Sequence, residues 1–172
     1  MEKIKANDEP VEIFGLMQER IGAVEVQRVG CRWLFQISNF SAANQVKVAT
    51  LGGIEAVLAG MEAHPCAEEV QGEGCKVLNH LCCNADNKAK VAALGGVETV
   101  LVGMHTHADD EFVQEYGCMV LKDLCCDADI VNRMTALGTV REVVESAIAA
   151  HPSNSDVQNC GACVLDVVDR LA

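Results

Sequence analysis

A dipeptide that returns at an almost constant interval is the feature that most constrains how this chain folds. Val26-Gln27 recurs as Val70-Gln71, Val113-Gln114 and Val157-Gln158, at steps of 44, 43 and 44 residues. A glycine and then a leucine follow each copy at fixed offsets: Gly30 and Leu34, Gly74 and Leu78, Gly117 and Leu121, and Gly161 and Leu165. A period of about 40–47 residues is typical of helical solenoid repeats. The spacing therefore predicts an all-α fold.

A second marker keeps the same interval and divides each unit into three helices. Gly52-Gly53-Ile54-Glu55 is followed by Gly95-Gly96-Val97-Glu98 and by Gly138-Thr139-Val140-Arg141. In one unit, the pattern predicts a short first helix over residues 86–94, an apolar second helix over 97–104 and a longer third helix over 109–126. The apolar stripe expected to face the core from that third helix comprises Phe112, Val113, Tyr116, Val120, Leu121, Leu124 and Cys125.

The same division applies along the whole chain. It predicts second helices near 10–21, 53–63, 96–106 and 139–150, and third helices near 24–40, 67–83, 111–126 and 155–171. The first unit lacks a convincing first helix. No linker or low-complexity segment interrupts the run, so residues 1–172 are predicted to form one domain, with units at about 10–40, 43–83, 86–126 and 129–171.

Composition and charge narrow the function classes. Half of the residues are hydrophobic but only 3% are aromatic, which favours closely packed helices over a β-sandwich. The formal charge of −12 repels phosphate backbones and anionic lipids, which argues against nucleic-acid and membrane-surface partners. No apolar run approaches the roughly 20 residues that a membrane-spanning helix needs. The polar start of the chain lacks the apolar stretch of a signal peptide, so we expect a cytoplasmic, reducing compartment.

Several segments together resemble armadillo repeats. They are residues 51–61, with the glycine pair and second helix, residues 69–81 in the third helix, and residues 84–96 in the next linker and first helix. The resemblance covers about residues 10–172 and implies a right-handed α-solenoid of about four units, whose third helices line a concave groove. In β-catenin-like and importin-α-like members this groove binds extended peptides through a third-helix Asn, which importin-α supplements with a Trp one turn earlier. Here the Asn positions hold Gln36, His80, Asp123 and Val167, and the Trp positions hold Arg32, Lys76, Met119 and Cys163. Binding of nuclear-import cargo is therefore not supported.

Polar residues on the third helices are the candidate binding residues. The expected partner-binding set is Arg28, Arg32, Gln36, Lys76, His80, Tyr116, Met119 and Asp123. Its N-terminal part is basic, while Glu115 and Asp123 make its C-terminal part acidic, so the groove is expected to select the orientation of a bound peptide or helix. The competing interpretation is ordinary solvated charge.

Cysteine and histidine residues suggest a second class of function. Cys82-Cys83 and Cys125-Cys126 fall at matching positions, with His80 nearby. Adjacent helical residues point about 100° apart, which is poor geometry for joint chelation, so packing of Cys31, Cys75, Cys82, Cys118 and Cys125 as small core residues is favoured over zinc. The histidines His64, His105, His107 and His151 lie where second helices end, where a capping role is expected. No metal ligand, cofactor site or catalytic set is predicted.

The sequence thus predicts a protein-binding adaptor or a structural subunit of a larger assembly, and not an enzyme. A partner with a basic patch suits the acidic surface. The alternatives are a metal or redox protein that uses the Cys and His residues, and a regulatory module of a larger enzyme.

The last third helix carries a separate expectation. Its apolar residues are Val164, Leu165, Val167, Val168 and Leu171. This is more than a capping helix needs, so the C-terminal end, and Val167 and Leu171 in particular, is predicted to be covered by a partner, a second copy or further sequence. The alternative is that these residues pack onto the second helix at 139–150.

Overall fold

The structure, a computed structural model, describes residues 10–38 and 41–170. Within those residues the chain forms α-helices and no strands, which confirms the all-α prediction. The helices are α1 (Pro10–Glu19), α2 (Val24–Ser38), α3 (Ala42–Thr50), α4 (Gly53–Ala63), α5 (Glu68–Leu81), α6 (Ala85–Ala93), α7 (Gly96–Thr106), α8 (Glu111–Leu124), α9 (Ala128–Leu137), α10 (Val140–Ala150) and α11 (Ser155–Asp169). In the described residues no helix is both long and apolar enough to cross a membrane.

The short helices α3, α6 and α9 set where the long helices must stop. Each begins after an extended residue whose side chain accepts a backbone N–H hydrogen bond: Ser41 from Asn44, Asn84 from Asn87, and Asp127 from Asp129 and Ile130. Because that cap needs an extended backbone, α5 and α8 end at Leu81 and Leu124, two residues before the predicted ends. The predicted extensions over residues 39–40 and 171 lie outside the described residues.

Glycine in the left-handed region makes the turn between short and second helices. Gly52, Gly95 and Gly138 have φ values of +98°, +81° and +71°, which side chains with a Cβ rarely adopt. At Gly52 and Gly95 the turn leads directly into the second helices α4 and α7. These glycines therefore lie at the junctions where the second marker divides each unit into helices.

The helices pack in two rows, with the core between them. The helices α2, α5, α8 and α11 lie side by side in chain order and form what we term the long-helix layer. The helices α1, α4, α7 and α10 form the second row, also in chain order, and each packs against its following long helix. Residues separated by the 43- or 44-residue steps of the sequence are termed equivalent.

The Val-Gln dipeptide now has a physical explanation. The Gln71 side-chain amide donates hydrogen bonds to the carbonyl oxygens of Met61 (2.8 Å) and His64 (3.0 Å) at the end of α4. Gln27, Gln114 and Gln158 make the equivalent pair of bonds at the ends of α1, α7 and α10. Each glutamine thus satisfies carbonyl groups that a helix C-terminus leaves without partners. The preceding valines Val70, Val113 and Val157 are fully buried.

Histidines link neighbouring units at the same ends. The Nε2 atoms of His64, His107 and His151 lie 2.6, 2.8 and 2.8 Å from the carbonyl oxygens of Ile21, Pro65 and Ala108, about 43 residues earlier in the chain. These three histidines are also the C-cap residues of α4, α7 and α10. The predicted position where second helices end is confirmed for all four histidines, since His105 lies in the last turn of α7, where it is exposed.

The apolar residues of α11 are mostly used inside the molecule. Val164 and Val168 are buried, Leu165 packs against the core and Val167 is half-buried, while Leu171 lies outside the described residues. The helix α11 packs against both α8 and α10. Its exposed face carries Asn159, Ala162, Cys163, Asp166, Asp169 and Arg170. Neighbouring helices thus cover Val164 and Val168, whereas the expected association through Val167 and Leu171 stays a prediction.

Candidate protein-interaction surface

The predicted binding residues all lie on three neighbouring helices of the long-helix layer. Arg28, Arg32 and Gln36 are on α2, Lys76 and His80 are on α5, and Tyr116, Met119 and Asp123 are on α8. The structure joins the middle of this set, because Lys76 contacts aromatic rings from both flanking helices. Arg32 and Gln36 are exposed on α2, and Met119 packs partly against the core.

An aromatic cluster surrounds Lys76. Its Nζ atom lies 4.2 Å from the ring centroid of Phe35 on α2, and 5.5 and 5.6 Å from those of Phe112 and Tyr116 on α8. The ring of His80 packs edge-on against Phe35 at 4.5 Å, and Phe112 against Tyr116 at 4.8 Å. Cation–π contacts of this length are attractive. We term these five residues the Lys76 cluster: Phe35, Lys76, His80, Phe112 and Tyr116.

Two of these aromatic residues were not expected at the surface. Phe112 was predicted to face the core, yet 38% of its surface is exposed, and its ring lies over Gly72 of α5, where a Cβ would come within 2.3 Å of it. The sequence held a signal against the core assignment, because the equivalents of Phe112 are Glu25, Glu69 and Asp156. Phe35 was not among the predicted binding residues, although its equivalents Asn79, Lys122 and Asp166 are all polar and so indicate a surface position.

Burial and the neighbouring ammonium group disfavour protonation of His80. Partial burial lowers the pKa of the His80 imidazole, and the positive charge of Lys76 lowers it further. A neutral ring packs against Phe35 without adding a second cation to the cluster. At neutral pH, Lys76 therefore supplies the positive charge among these five residues.

Carboxylates flank the cluster at the N-terminal ends of the helices. A shallow cavity of about 160 Å³ is lined by Arg28, Glu68, Glu69, Glu73, Asp110 and Phe112. Within it, the Arg28 guanidinium is held by Glu25 at 2.6 and 2.9 Å, and this hydrogen-bonded partner raises the pKa of Arg28. The expected basic character of this end is thus offset, because Glu25 pairs with Arg28 and three glutamates of α5 lie beside it.

At the other end of the layer, Asp123 bridges two helices. Its carboxylate accepts a hydrogen bond of 3.1 Å from the Asn79 amide of α5. Burial raises the pKa of the Asp123 carboxyl group, against the opposing effects of Lys122 and Lys88. The predicted residue therefore helps to join α5 to α8 as well as facing outward.

The cysteines behave as core residues more than as ligands. Cys31, Cys75, Cys82, Cys118 and Cys160 are buried, Cys125 is half-buried, and Cys66, Cys83, Cys126 and Cys163 are exposed. Burial raises the pKa of the Cys31, Cys75, Cys82 and Cys118 thiols to about 12, which disfavours the thiolate that metal binding and redox chemistry need. Among the described residues, no three His, Cys, Asp or Glu side chains are placed to hold a metal ion.

No protein-family model matches the chain, and no curated protein or solved structure shows detectable similarity to it. The armadillo resemblance therefore remains a resemblance.

Proposed function

We propose that this chain is an armadillo-like, right-handed α-solenoid of about four units that acts as a protein-binding adaptor or a structural subunit of an assembly. The partner binds along the outer face of the long-helix layer, with the Lys76 cluster at the centre of the contact. In this proposal the protein is not an enzyme and works in a reducing compartment such as the cytoplasm.

The observation that carries this proposal is where the aromatic residues lie. The chain has one Trp, one Tyr and four Phe. Phe14 is buried in the core and Phe40 lies outside the described residues. The other four, Trp33, Phe35, Phe112 and Tyr116, are on α2 and α8 and keep exposed surface. Aromatic side chains dominate binding hot spots, and a chain so poor in aromatics places most of them on one layer.

The surrounding charge indicates the chemistry of the partner. The Lys76 cluster is flanked by Glu69, Glu73 and Asp110, and Arg28 is already paired with Glu25. A segment whose apolar residues pack on Phe112 and Tyr116, and whose basic residues reach these carboxylates, matches both features. We therefore expect a partner with basic residues next to apolar ones.

The test compares two surfaces of the same protein. Phe112→Ala combined with Tyr116→Ala removes two exposed rings of the cluster, whereas Val102→Ala truncates a side chain that is 54% exposed on the second row. Partners captured from native lysate by the wild-type protein are identified, and their affinity is then measured with purified components. We expect the double variant to bind at least roughly 30-fold more weakly, since hot-spot truncation costs about 2 kcal/mol or more.

The control variant should bind like the wild-type protein, and both variants should melt within a few degrees of it. A captured partner that binds the double variant with unchanged affinity would show that this face is not the binding surface.

A further inference from the structure

One face of α2, which we term its open face, carries residues that are more exposed than their equivalents on the other long helices. Val77, Val120 and Val164 are fully buried, as are Leu81 and Leu124, and Val168 is nearly so. The equivalents on α2 are Trp33 and Ile37, and both retain exposed surface. Val26 differs in the same way from its fully buried equivalents Val70, Val113 and Val157. Among the described helices, none packs against the open face of α2 in the way that α2 packs against α5.

The internal junctions show which positions meet when two long helices pack. At the first junction, Phe35 of α2 is contacted by Lys76 and His80 of α5. At the second, the equivalent of Phe35 is Asn79, which is bonded by Asp123, the equivalent of His80. The position of Phe35 and Asn79 on one helix therefore meets the position of His80 on the next, and at the first junction it meets that of Lys76 as well.

The outer face of α11 offers the matching half of such a junction. Asp166 is the equivalent of Phe35 and Asn79, and it is exposed. Ala162 is the equivalent of Cys31, Cys75 and Cys118, which are fully buried at the internal junctions, and it is exposed as well. A long helix packed on this face would place its own residues at the positions of Lys76 and His80 against Asp166.

On α2 those two positions hold Arg32 and Gln36. Both are exposed, and Arg32 forms no ion pair with any described residue. A guanidinium and an amide donor would thus meet the carboxylate of Asp166, at the two positions that contact Phe35 inside the molecule. We propose that a second copy of this chain packs head to tail, with α11 of one copy on the open face of α2 of the next.

The contacts already made by these residues do not oppose this pairing. Asp166 pairs with Arg170 one turn away on α11, and both side chains are largely exposed. Exposed pairs of this kind contribute little to stability, so Asp166 can accept bonds from Arg32 and Gln36 without a large loss. Because the two surfaces differ, the contact is heterologous and propagates from copy to copy instead of closing as a twofold dimer.

A charge swap tests the proposed pair. Asp166→Arg and Arg32→Asp each place like charges opposite one another, and each should weaken self-association by about tenfold or more. Carrying both changes in one chain restores opposite charges with the sign reversed, so association should return toward the wild-type value. The measurement is sedimentation velocity of purified protein over a wide concentration range, with no other protein present.

The ion pair between Arg133 and Glu98 provides a matched control. It joins α9 to α7 with partly exposed side chains, and neither residue lies on α2 or α11. Its swapped double variant should associate like the wild-type protein. A wild-type protein that stays monomeric at every concentration would overturn the proposal. So would a discrete dimer, or an assembly that the double swap fails to restore. None of these outcomes bears on partner binding at the Lys76 cluster, which is measured separately.

Discussion

At the scale of single residues, the repeated glutamines donate hydrogen bonds to carbonyl groups that the helix backbone leaves without a partner. Each one places an amide between two carbonyl oxygens at a helix C-terminus, and Gln27, Gln71 and Gln114 do so while buried. Only Gln158 keeps part of its surface exposed. A buried carbonyl that loses its partner is costly, whereas an exposed one is satisfied by water.

Replacing Gln71 and Gln158 in turn should separate these two situations. Gln71→Leu removes both bonds to Met61 and His64 at a side chain that is only 1% exposed, and should lower the free energy of unfolding by roughly 1–3 kcal/mol. Gln158→Leu removes the equivalent bonds to Ile148 and His151 at a partly exposed site, and should cost less than about 1 kcal/mol. Urea unfolding measures both losses, provided that the free energy of unfolding depends on urea concentration with the same slope in each variant as in the wild-type protein. Equal losses would mean that burial is not what makes this motif stabilising.

The residue scale is also where sequence reasoning was least complete. The period located the glutamines and the buried valines, because both face the same way in every unit. It did not predict that Lys76, His80 and Tyr116 of the expected set meet Phe35 and Phe112, whose equivalents in the other units are polar. Lateral contacts such as Lys76 with Phe35, or Asn79 with Asp123, depend on which helix lies beside which. That arrangement is a tertiary property that a single-sequence pattern does not contain.

At the scale of elements, glycines set how closely two helices approach. A Cβ on Gly30, Gly74 or Gly117 would come within 2.5–2.6 Å of the side chain of Met17, Met61 or Met104, each of which is buried on the preceding second-row helix. The glycine that follows every Val-Gln is therefore a contact position and not a turn. The helices α4 and α7 match their predicted spans, since left-handed glycines mark where they start and the histidine-containing turns mark where they end.

Two glycine-to-alanine substitutions should change the free energy of unfolding in opposite directions. Alanine favours a helix interior by about 1 kcal/mol over glycine. At Gly15 in α1 an added Cβ meets no atom within 4 Å, so Gly15→Ala should raise the free energy of unfolding by up to about that amount. At Gly74 the added methyl group overlaps Met61, and Gly74→Ala should lower it by roughly 1–3 kcal/mol. Thermal and urea unfolding report both, and a stabilised Gly74→Ala protein would contradict the contact role.

At the scale of the whole molecule, the long helices contact one another in chain order. The helix α5 packs between α2 and α8, and α8 between α5 and α11. Stability in such an arrangement is close to a sum over neighbouring contacts, so the ends open more readily than the middle. The buried thiols follow the same order, because Cys31, Cys75, Cys118 and Cys160 lie on successive long helices. They provide one reporter for each helix of the layer.

Thiol labelling at pH 8 should therefore divide the ten cysteines by location. Cys66, Cys83, Cys126 and Cys163 are exposed and should react at once. Cys75 and Cys118 are fully buried between neighbours, and their pKa of about 12 leaves almost no thiolate at that pH, so they should react only when the core opens. Cys160, on the last long helix and 6% exposed, should be labelled faster than either. Mass spectrometry of labelled peptides, at a protein concentration low enough to keep copies apart, gives each rate. Labelling of Cys75 and Cys118 as fast as Cys160 would show that the layer opens as one unit, and the neighbour-by-neighbour account of its stability would be wrong.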